Sequence, residues 1–392
     1  MNLLQNLFNL ALLLLLSLVL STECDAQAQS ETAVATLHAP PFPPLPPRTV
    51  VLSFASHPPA GPNTQDVAGE RTELHRTLIK SYAVTANDAL SINNHFGDVS
   101  VALWDRNELR VEISIMSASD DPDRAKRALD AVTIDEQRNG NEYGFKTVIG
   151  DAFSKGVKRN DRSTNQLRVD YRISMPKANA LTIRNKFGNV TLPNFSAPLT
   201  VDSQFGNVYG SALSNALTKI NASFGNVTIR DVQNGNVKMS FGDLDINTGN
   251  VLSIVQEYGK LRIGQTNRVD ARVSYADAVI GAIRQSGTLK MNYTKLFRLD
   301  QLAASADQLN VVANFSTVAL PVQPQTNCDF DVTVTHGGFS YPTLPNLRLT
   351  AQPPQAPAAP RPGKRQQYVG RIGTGEGPRI KVVSVFGDVK FK

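Results

Sequence analysis

Apolar and polar residues alternate with a period of two along much of the chain between Leu181 and Val318. One run places Leu199, Val201 and Ser203 at every second position before Phe205. This period puts successive side chains on opposite faces of an extended backbone. The pattern therefore predicts short β-strands rather than helices.

The strands carry a recurring motif that begins with an aromatic residue and reads F-G-[ND]-V in its best copies. The copies are spaced 18, 19, 17, 17, 17, 18 and 22 residues apart. They are Phe187-Gly188-Asn189-Val190, Phe205-Gly206-Asn207-Val208, Phe224-Gly225-Asn226-Val227, Phe241-Gly242-Asp243-Leu244, Tyr258-Gly259-Lys260-Leu261, Tyr275-Ala276-Asp277-Ala278, Tyr293-Thr294-Lys295-Leu296 and Phe315-Ser316-Thr317-Val318.

Repeats of this length cannot bury their apolar faces singly, but neighbouring copies can share a continuous core when they stack. We therefore predict an all-β fold in which residues 177–350 form a single-chain parallel β-solenoid (β-helix) with about 17–19 residues per repeat. Because the aromatic residues share phase with Leu and Val, they are expected to stack in the interior. A surface strip that stacks sugars is the alternative.

The Asn or Asp after each glycine is expected to form a corner turn and to bond its own main chain. A calcium ladder is the alternative, but Lys260 and Lys295 fill the same slot in later copies. The predicted structural-repeat residues are Phe96, Gly97, Phe187, Gly188, Asn189, Phe205, Gly206, Asn207, Phe224, Gly225, Asn226, Phe241, Gly242, Asp243, Tyr258 and Gly259.

Residues 81–176 precede the regular repeats and contain an outlying copy, Phe96-Gly97-Asp98-Val99. Asp121-Pro122 can begin a helix, because proline suits the first helical position. We predict a short α-helix at 121–133 between strands. This N-terminal region would cap the first coil, whose edge would otherwise be unpaired.

The first 28 residues are predicted to be a signal peptide. Leu3 to Leu20 are almost entirely apolar, and Ala26-Gln27-Ala28 fits a signal-peptidase site. The sequence thus indicates export to the periplasm, the outer-membrane surface or the medium. Membrane attachment is expected only if this segment is retained uncleaved.

Two proline-rich stretches divide the remaining chain. Residues 29–80 are predicted to be a spacer with at most one strand, and residues 351–378 a Pro/Gly-rich linker. A C-terminal strand is predicted at 379–392, where Phe386-Gly387-Asp388-Val389 repeats the motif. Whether it packs on the solenoid is left open by the sequence.

Composition and charge add few functional constraints. The formal net charge is +6, and the Lys and Arg residues are scattered, so no nucleic-acid partner is predicted. The chain has two cysteines, and cleavage of the leader would leave Cys328 alone, without an intrachain disulfide.

Catalytic and metal-binding motifs are not evident in the sequence. The five histidines are dispersed, and no H-x-x-H, H-E-x-x-H or C-x-x-C occurs. Asp243 and Asp245 share a face, as the carboxylates of a glycoside hydrolase could, but position 243 is a corner slot. We therefore predict no catalytic residue, no metal ligand and no cofactor.

The order of these elements resembles a known family. A strand, the Asp-Pro-Asp-Arg-Ala helix, the strand ending in Tyr171-Arg172-Ile173-Ser174-Met175-Pro176, and then Leu181 to Val190 are similar to the bacterial putative adhesin domain. The likeness covers roughly residues 85 to 320 and is close to putative autotransporter adhesin head domains. The Gln27-Ala28-Gln29 region also resembles leaders from Bacteroidetes. The family likeness implies an exported β-helical domain without established catalysis, and it assigns no functional residues.

The sequence therefore favours a non-catalytic, adhesin-like module that binds or scaffolds at the cell envelope. Its expected partner is a polysaccharide or another envelope protein, and its oligomeric state is left open. The alternatives are a polysaccharide-active enzyme on a β-helix and an envelope-stress component that acts with a membrane partner.

Overall fold

The computed structural model describes residues 50–51, 71–150, 166–323, 325–351 and 365–392. The predicted signal peptide lies outside the described residues, as does most of the predicted spacer.

The described residues form one mixed, open β-sheet of 24 strands with a single α-helix. The first half of the chain contains β1 (Val50–Val51), β2 (Thr72–Ala83), β3 (Ala89–His95), β4 (Val99–Trp104), β5 (Glu108–Ser119), α1 (Pro122–Asp130), β6 (Val132–Asn139), β7 (Glu142–Ile149), β8 (Gln166–Pro176), β9 (Ala180–Lys186), β10 (Val190–Leu192), β11 (Leu199–Gln204) and β12 (Val208–Leu213). The second half contains β13 (Thr218–Ser223), β14 (Val227–Ser240), β15 (Leu244–Asn292), β16 (Phe297–Leu302), β17 (Gln308–Asn314), β18 (Val318–Leu320), β19 (Cys328–Thr335), β20 (Phe339–Ser340), β21 (Leu347–Ala351), β22 (Gln366–Ile372), β23 (Arg379–Val385) and β24 (Val389–Phe391).

Strands of successive repeats pair in parallel, each with the equivalent strand of the next copy. Val201 lies beside Ile183 on one side and Ile220 on the other, at separations that match the repeat length. The register continues through β14 and β15, where Val237 pairs with Ile254. These side chains are all buried, and each contributes about 1.5–3 kcal/mol by leaving water. Alignment of equivalent apolar positions in successive repeats thus forms the core.

The region before the repeats combines parallel and antiparallel pairs. The strands β3 and β4 on either side of Phe96 pair in parallel with β9 and β10, so this copy forms the first repeat of the stack. On their other side they pair in parallel with β7 and β8, which continue into the antiparallel pairs β7–β6, β8–β5 and β5–β2.

The helix α1 packs against β5 and β2 of this region. Asp121 caps it, because its side chain accepts hydrogen bonds from the backbone N–H groups of Asp123 and Arg124. The helix is shorter than predicted and ends at Asp130. Val132 was predicted to lie in the last helical turn but is the first residue of β6, a position that its β-branched side chain favours.

The C-terminal residues lie within the stack rather than at its end. Val382 of β23 pairs in parallel with Val311 of β17 and with Val332 of β19. In the same way β24 lies between β18 and β20. The last segment of the chain therefore separates two repeats that precede it in sequence.

Strands also occur inside both predicted proline-rich stretches. The strand β2 begins at Thr72, within the last residues assigned to the spacer, and pairs with β5 along its whole length. The strand β22 falls within the predicted linker and pairs antiparallel with β19 and β21. Both stretches contain proline-free runs, and these runs are the parts that pair.

Candidate interaction surface

Ten aromatic residues form a continuous line at one corner of the stack, here called the aromatic ladder. Each adopts the left-handed backbone conformation, as does His336 beyond its last ring, with φ between 49° and 64°. A bulky residue in this region costs about 1–2 kcal/mol. In spatial order the ladder is Phe96, Phe187, Phe205, Phe224, Phe241, Tyr258, Tyr275, Tyr293, Phe315 and Phe386.

The prediction that these rings lie in the interior is wrong. From Phe187 to Phe386 each ladder side chain is 43–51% exposed. The predicted inward phase holds only while the backbone stays extended, because alternation of faces is a property of strands. The left-handed residue turns the chain at the corner, so the ring points outward although Asn185, two residues before Phe187, points inward.

The ladder rings stack face to face along the whole line. Neighbouring centroids are 4.7–5.1 Å apart, and ring planes deviate by 1–9°. His336 extends the line by stacking on Phe386 at 4.3 Å. Because neighbouring rings cover each other's faces, the surface presents mainly ring edges, which carry the positive end of the aromatic quadrupole. A sugar-stacking strip would need open ring faces, so this geometry disfavours it.

The glycine after each aromatic residue is required by close contact between repeats. An added Cβ at Gly206 would lie 1.9 Å from the carbonyl oxygen of Gly188, and one at Gly242 would lie 1.7 Å from that of Gly225. Such distances are far shorter than a van der Waals contact. The motif therefore joins a left-handed aromatic residue to a glycine that lies directly against the backbone of the preceding repeat.

The Asn and Asp residues after the glycine form a second line, here called the amide ladder. The Oδ1 atom of Asn207 accepts a hydrogen bond of 2.9 Å from the backbone N–H of Asn226, and Asn226 accepts one from Asp243. The carboxylate of Asp243 accepts the next one, from the backbone N–H of Lys260. The prediction that these side chains bond their own main chain is wrong, because they bond the next repeat. The aromatic residue, not the Asn or Asp, takes the left-handed conformation.

Asn207→Ala should lower the free energy of unfolding by about 1 kcal/mol, because one partly exposed hydrogen bond between repeats is lost. Asn207→Asp keeps the accepting oxygen and should stay close to wild type. Urea denaturation of both variants checks this. Equal stability of the Ala and Asp variants would show that the bond contributes nothing.

Three consecutive repeats replace the motif glycine with Ala276, Thr294 and Ser316. The repeat that contains Thr294 has one extra residue before its next strand, so Ala278 pairs with Phe297. Asp277 accordingly accepts its hydrogen bond from the N–H of Leu296. The amide ladder therefore tolerates a change of register where the glycine is lost.

Asp243, one of the two carboxylates compared with those of a glycoside hydrolase, belongs to the amide ladder and accepts a hydrogen bond from the backbone N–H of Lys260. In the part of the chain that the structure describes, no group of three His, Cys, Asp or Glu side chains could hold a metal ion. No helix of the described residues is long and apolar enough to cross a membrane.

Cys328 is fully buried at the start of β19. Burial, together with the nearby Asp329 carboxylate, raises the pKa of its thiol to about 12 from 9.0. A folded-state pKa above the unfolded value gives stability that is complete below pH 9 and is lost as the pH rises through about 12.

Cys328 should therefore resist iodoacetamide at pH 9 in the folded protein and react rapidly in urea, since the thiolate is the nucleophile. Mass mapping of the peptide that contains Cys328 measures this without interference from Cys24. Labelling at equal rates in both conditions would contradict the buried position.

Sequence reasoning missed two parts of the surface. His336 continues the ladder although His336-Gly337-Gly338-Phe339 begins with His where the motif has Phe or Tyr, and only its paired glycine gave a signal. The C-terminal motif was visible, but its place between Phe315 and His336 was not.

Comparisons with known proteins give only weak likenesses. No family model matches the chain, and no curated protein matches it. Among solved structures, a putative adhesin from Bacteroides fragilis is 12% identical, with 81% of this chain and 97% of that chain covered and a TM-score of 0.33. A putative cell adhesion protein from Clostridium sporogenes is 10% identical, with coverages of 82% and 99% and a TM-score of 0.18. A putative lipid binding protein from Parabacteroides distasonis is 11% identical, with coverages of 81% and 96% and a TM-score of 0.28. Scores this low do not establish a shared fold.

Proposed function

We propose that the chain is an exported, non-catalytic, adhesin-like module that binds another protein of the cell envelope along the aromatic ladder. In this proposal the parallel-paired repeats are the coils of a β-solenoid. The apolar run Leu3 to Leu20 and the Ala26-Gln27-Ala28 site support export.

The observation that carries the proposal is a continuous line of half-exposed aromatic rings held in a strained backbone conformation. Ring stacking stabilises the fold by about 0.5–1.5 kcal/mol per pair of rings. This is roughly equal to the free energy that each left-handed backbone conformation costs. Glycine or asparagine would occupy the same corner with less strain. Stability alone therefore does not account for the rings, and backbone strain of this kind is typical of functional surfaces.

The exposed edges favour a protein partner. They offer apolar area along with edge-to-face contacts to aromatic rings of the partner. A continuous line of exposed apolar side chains is typical of interaction sites. A partner that lies along the ladder would repeat the same contact on successive coils, which adds weak contacts together.

The test places the photo-crosslinking residue p-benzoylphenylalanine at position 224 of the full chain in its own producing cells. Position 209 is the control, because Tyr209 is also an exposed aromatic residue (45%) but lies outside the ladder. We expect a discrete adduct with one envelope protein from position 224 and none from position 209. Adducts with the chain itself, identical adducts from both positions, or no adduct from position 224 would contradict the proposal.

A second arm tests the ladder without a crosslinker. The variant Phe205→Asn, Phe224→Asn and Phe241→Asn removes three rings and keeps residues that tolerate the left-handed corner. It should fold and should lose the adduct formed from a crosslinker placed at position 258. Release of shortened products from polysaccharides by the wild-type chain would contradict the non-catalytic role.

A further inference from the structure

A polar groove crosses several repeats on a different part of the surface from the aromatic ladder. Its volume is about 380 Å³, within the range of ligand sites. The lining comes from equivalent positions on successive repeats, since Ala212 pairs with Asp231 and Asp231 pairs with Thr248. The groove therefore runs across the strands, from one repeat to the next.

The groove walls are rich in side-chain amides and hydroxyls. Asn267 donates to Asn250 at 2.8 Å, and Thr266 donates to the carbonyl oxygen of Arg268 at 3.0 Å. These bonds hold part of the wall in place while other donors and acceptors face the groove. The uncharged polar side chains of the walls include Ser214, Gln233, Thr248, Asn250, Gln265 and Asn267.

The floor of the groove is buried and formed by small or aliphatic residues. Leu213 and Val232 lie side by side in neighbouring strands, and Gly249 follows in the next repeat. Any side chain at Gly249 would meet Leu252, since an added Cβ would lie 2.6 Å from its Cδ1 atom. The floor is thus closely packed, and the polar walls supply most of the surface that a ligand would contact.

The groove lining carries one acidic and one basic side chain, Asp231 and Arg284. Asp231 forms an ion pair with Arg230 at 2.7 Å, and Arg284 donates to Oε1 of Gln265 at 2.7 Å. No aromatic residue lines the groove. A nucleic acid would need clustered cations or stacking rings, and an anionic polymer would need several bases, whereas Arg284 is the one basic residue of the lining.

Side-chain amides recur at one equivalent position of successive repeats, Gln233, Asn250 and Asn267, at the strand spacing of about 4.8 Å. This repetition suits a polymer whose own units repeat hydroxyl groups. We propose that the groove binds a neutral polysaccharide that lies across the repeats, a site and ligand separate from the protein contact at the aromatic ladder.

The test is affinity electrophoresis of the full chain in gels that contain dextran, laminarin, yeast mannan or xylan, with polygalacturonate as the anionic comparison. Gln233→Trp places bulk at the exposed rim of the groove, and Gln233→Ala removes the amide without adding bulk. Asn236→Trp is the matched control, because it is an exposed amide of the same strand, β14, outside the groove lining.

We expect at least one neutral polysaccharide to retard the wild type and the Asn236→Trp variant equally. Gln233→Trp should weaken this retardation at least tenfold, and Gln233→Ala should weaken it severalfold. Retardation by polygalacturonate alone, by none of the polymers, or equally in wild type and Gln233→Trp would overturn the proposal. The ladder variant Phe205→Asn, Phe224→Asn and Phe241→Asn should keep wild-type retardation, so the two sites can fail separately.

Discussion

Gly242→Ala is expected to lower the free energy of unfolding by about 3 kcal/mol or more, because overpacking against backbone cannot be relieved by a side-chain rotation. The new Cβ would lie 1.7 Å from the carbonyl oxygen of Gly225 and 2.3 Å from Cε of Met239. The coil would have to separate from its neighbour, so parallel pairing between β14 and β15 would weaken around this corner. Denaturant unfolding followed by circular dichroism measures the loss.

Gly144→Ala is the matched control for this substitution. Gly144 also lies in a strand, β7, but the nearest atom to an added Cβ is 3.6 Å away. Its stability should stay within about 1 kcal/mol of wild type, as for most uncrowded substitutions. If both variants were equally stable, the close approach of the corner backbones would be refuted.

Deletion of residues 379–392 should unfold the C-terminal part of the stack and leave the central repeats intact. The segment buries Ile380, Val382, Val389 and Phe391, together worth about 6–12 kcal/mol of burial. Its removal leaves β17 and β19 separated by an empty strand position, too far apart to pair with each other. Hydrogen exchange should show lost protection in β19 and retained protection in β11 and β13.

A synthetic peptide of residues 379–392 should restore that protection when added to the truncated chain. The control peptide carries Gly387→Val, which cannot fit because a Cβ at this position would lie 2.0 Å from the carbonyl oxygen of Ser316. Protection of β19 in the truncated chain without any peptide would contradict the inserted position of the segment.

Much of the strand pattern could be predicted from the sequence. Alternation such as Leu199, Val201 and Ser203 correctly places the buried face of β11, and the spacing of the motif matches the offset between paired strands. The cap and first turn of the helix were also readable, because Asp121 and Pro122 are specific signals for a helix start. These features depend on local residues and short periods.

The direction of the aromatic rings could not be predicted by the same means. The alternating pattern assigns each residue to a face from its position alone. It places Phe205 on the same face as the buried Val201 and Ser203, yet the positive φ of Phe205 turns its ring outward. The contact that makes glycine necessary comes from a repeat 17–19 residues away, and no local pattern contains it. The motif was visible, but its geometry is a property of the stack.

Neither the position of the C-terminal segment nor the polar groove could be predicted from the sequence, for a related reason. Val385 and Thr335 pair only because a later segment enters between earlier ones, and chain order does not encode that insertion. The groove joins residues such as Gln233 and Asn250 that carry no motif of their own. Both arise from the alignment of repeats in space.

Hydroxyl-radical footprinting with mass spectrometry tests the surface position of the aromatic ladder most directly. In the native chain the rings of Phe205, Phe224 and Tyr258 should be oxidised readily, whereas Phe195 and Phe297, which are at most 1% exposed, should be protected. Protection of the ladder rings to the same degree as Phe195 and Phe297 would place them in the interior and contradict the account.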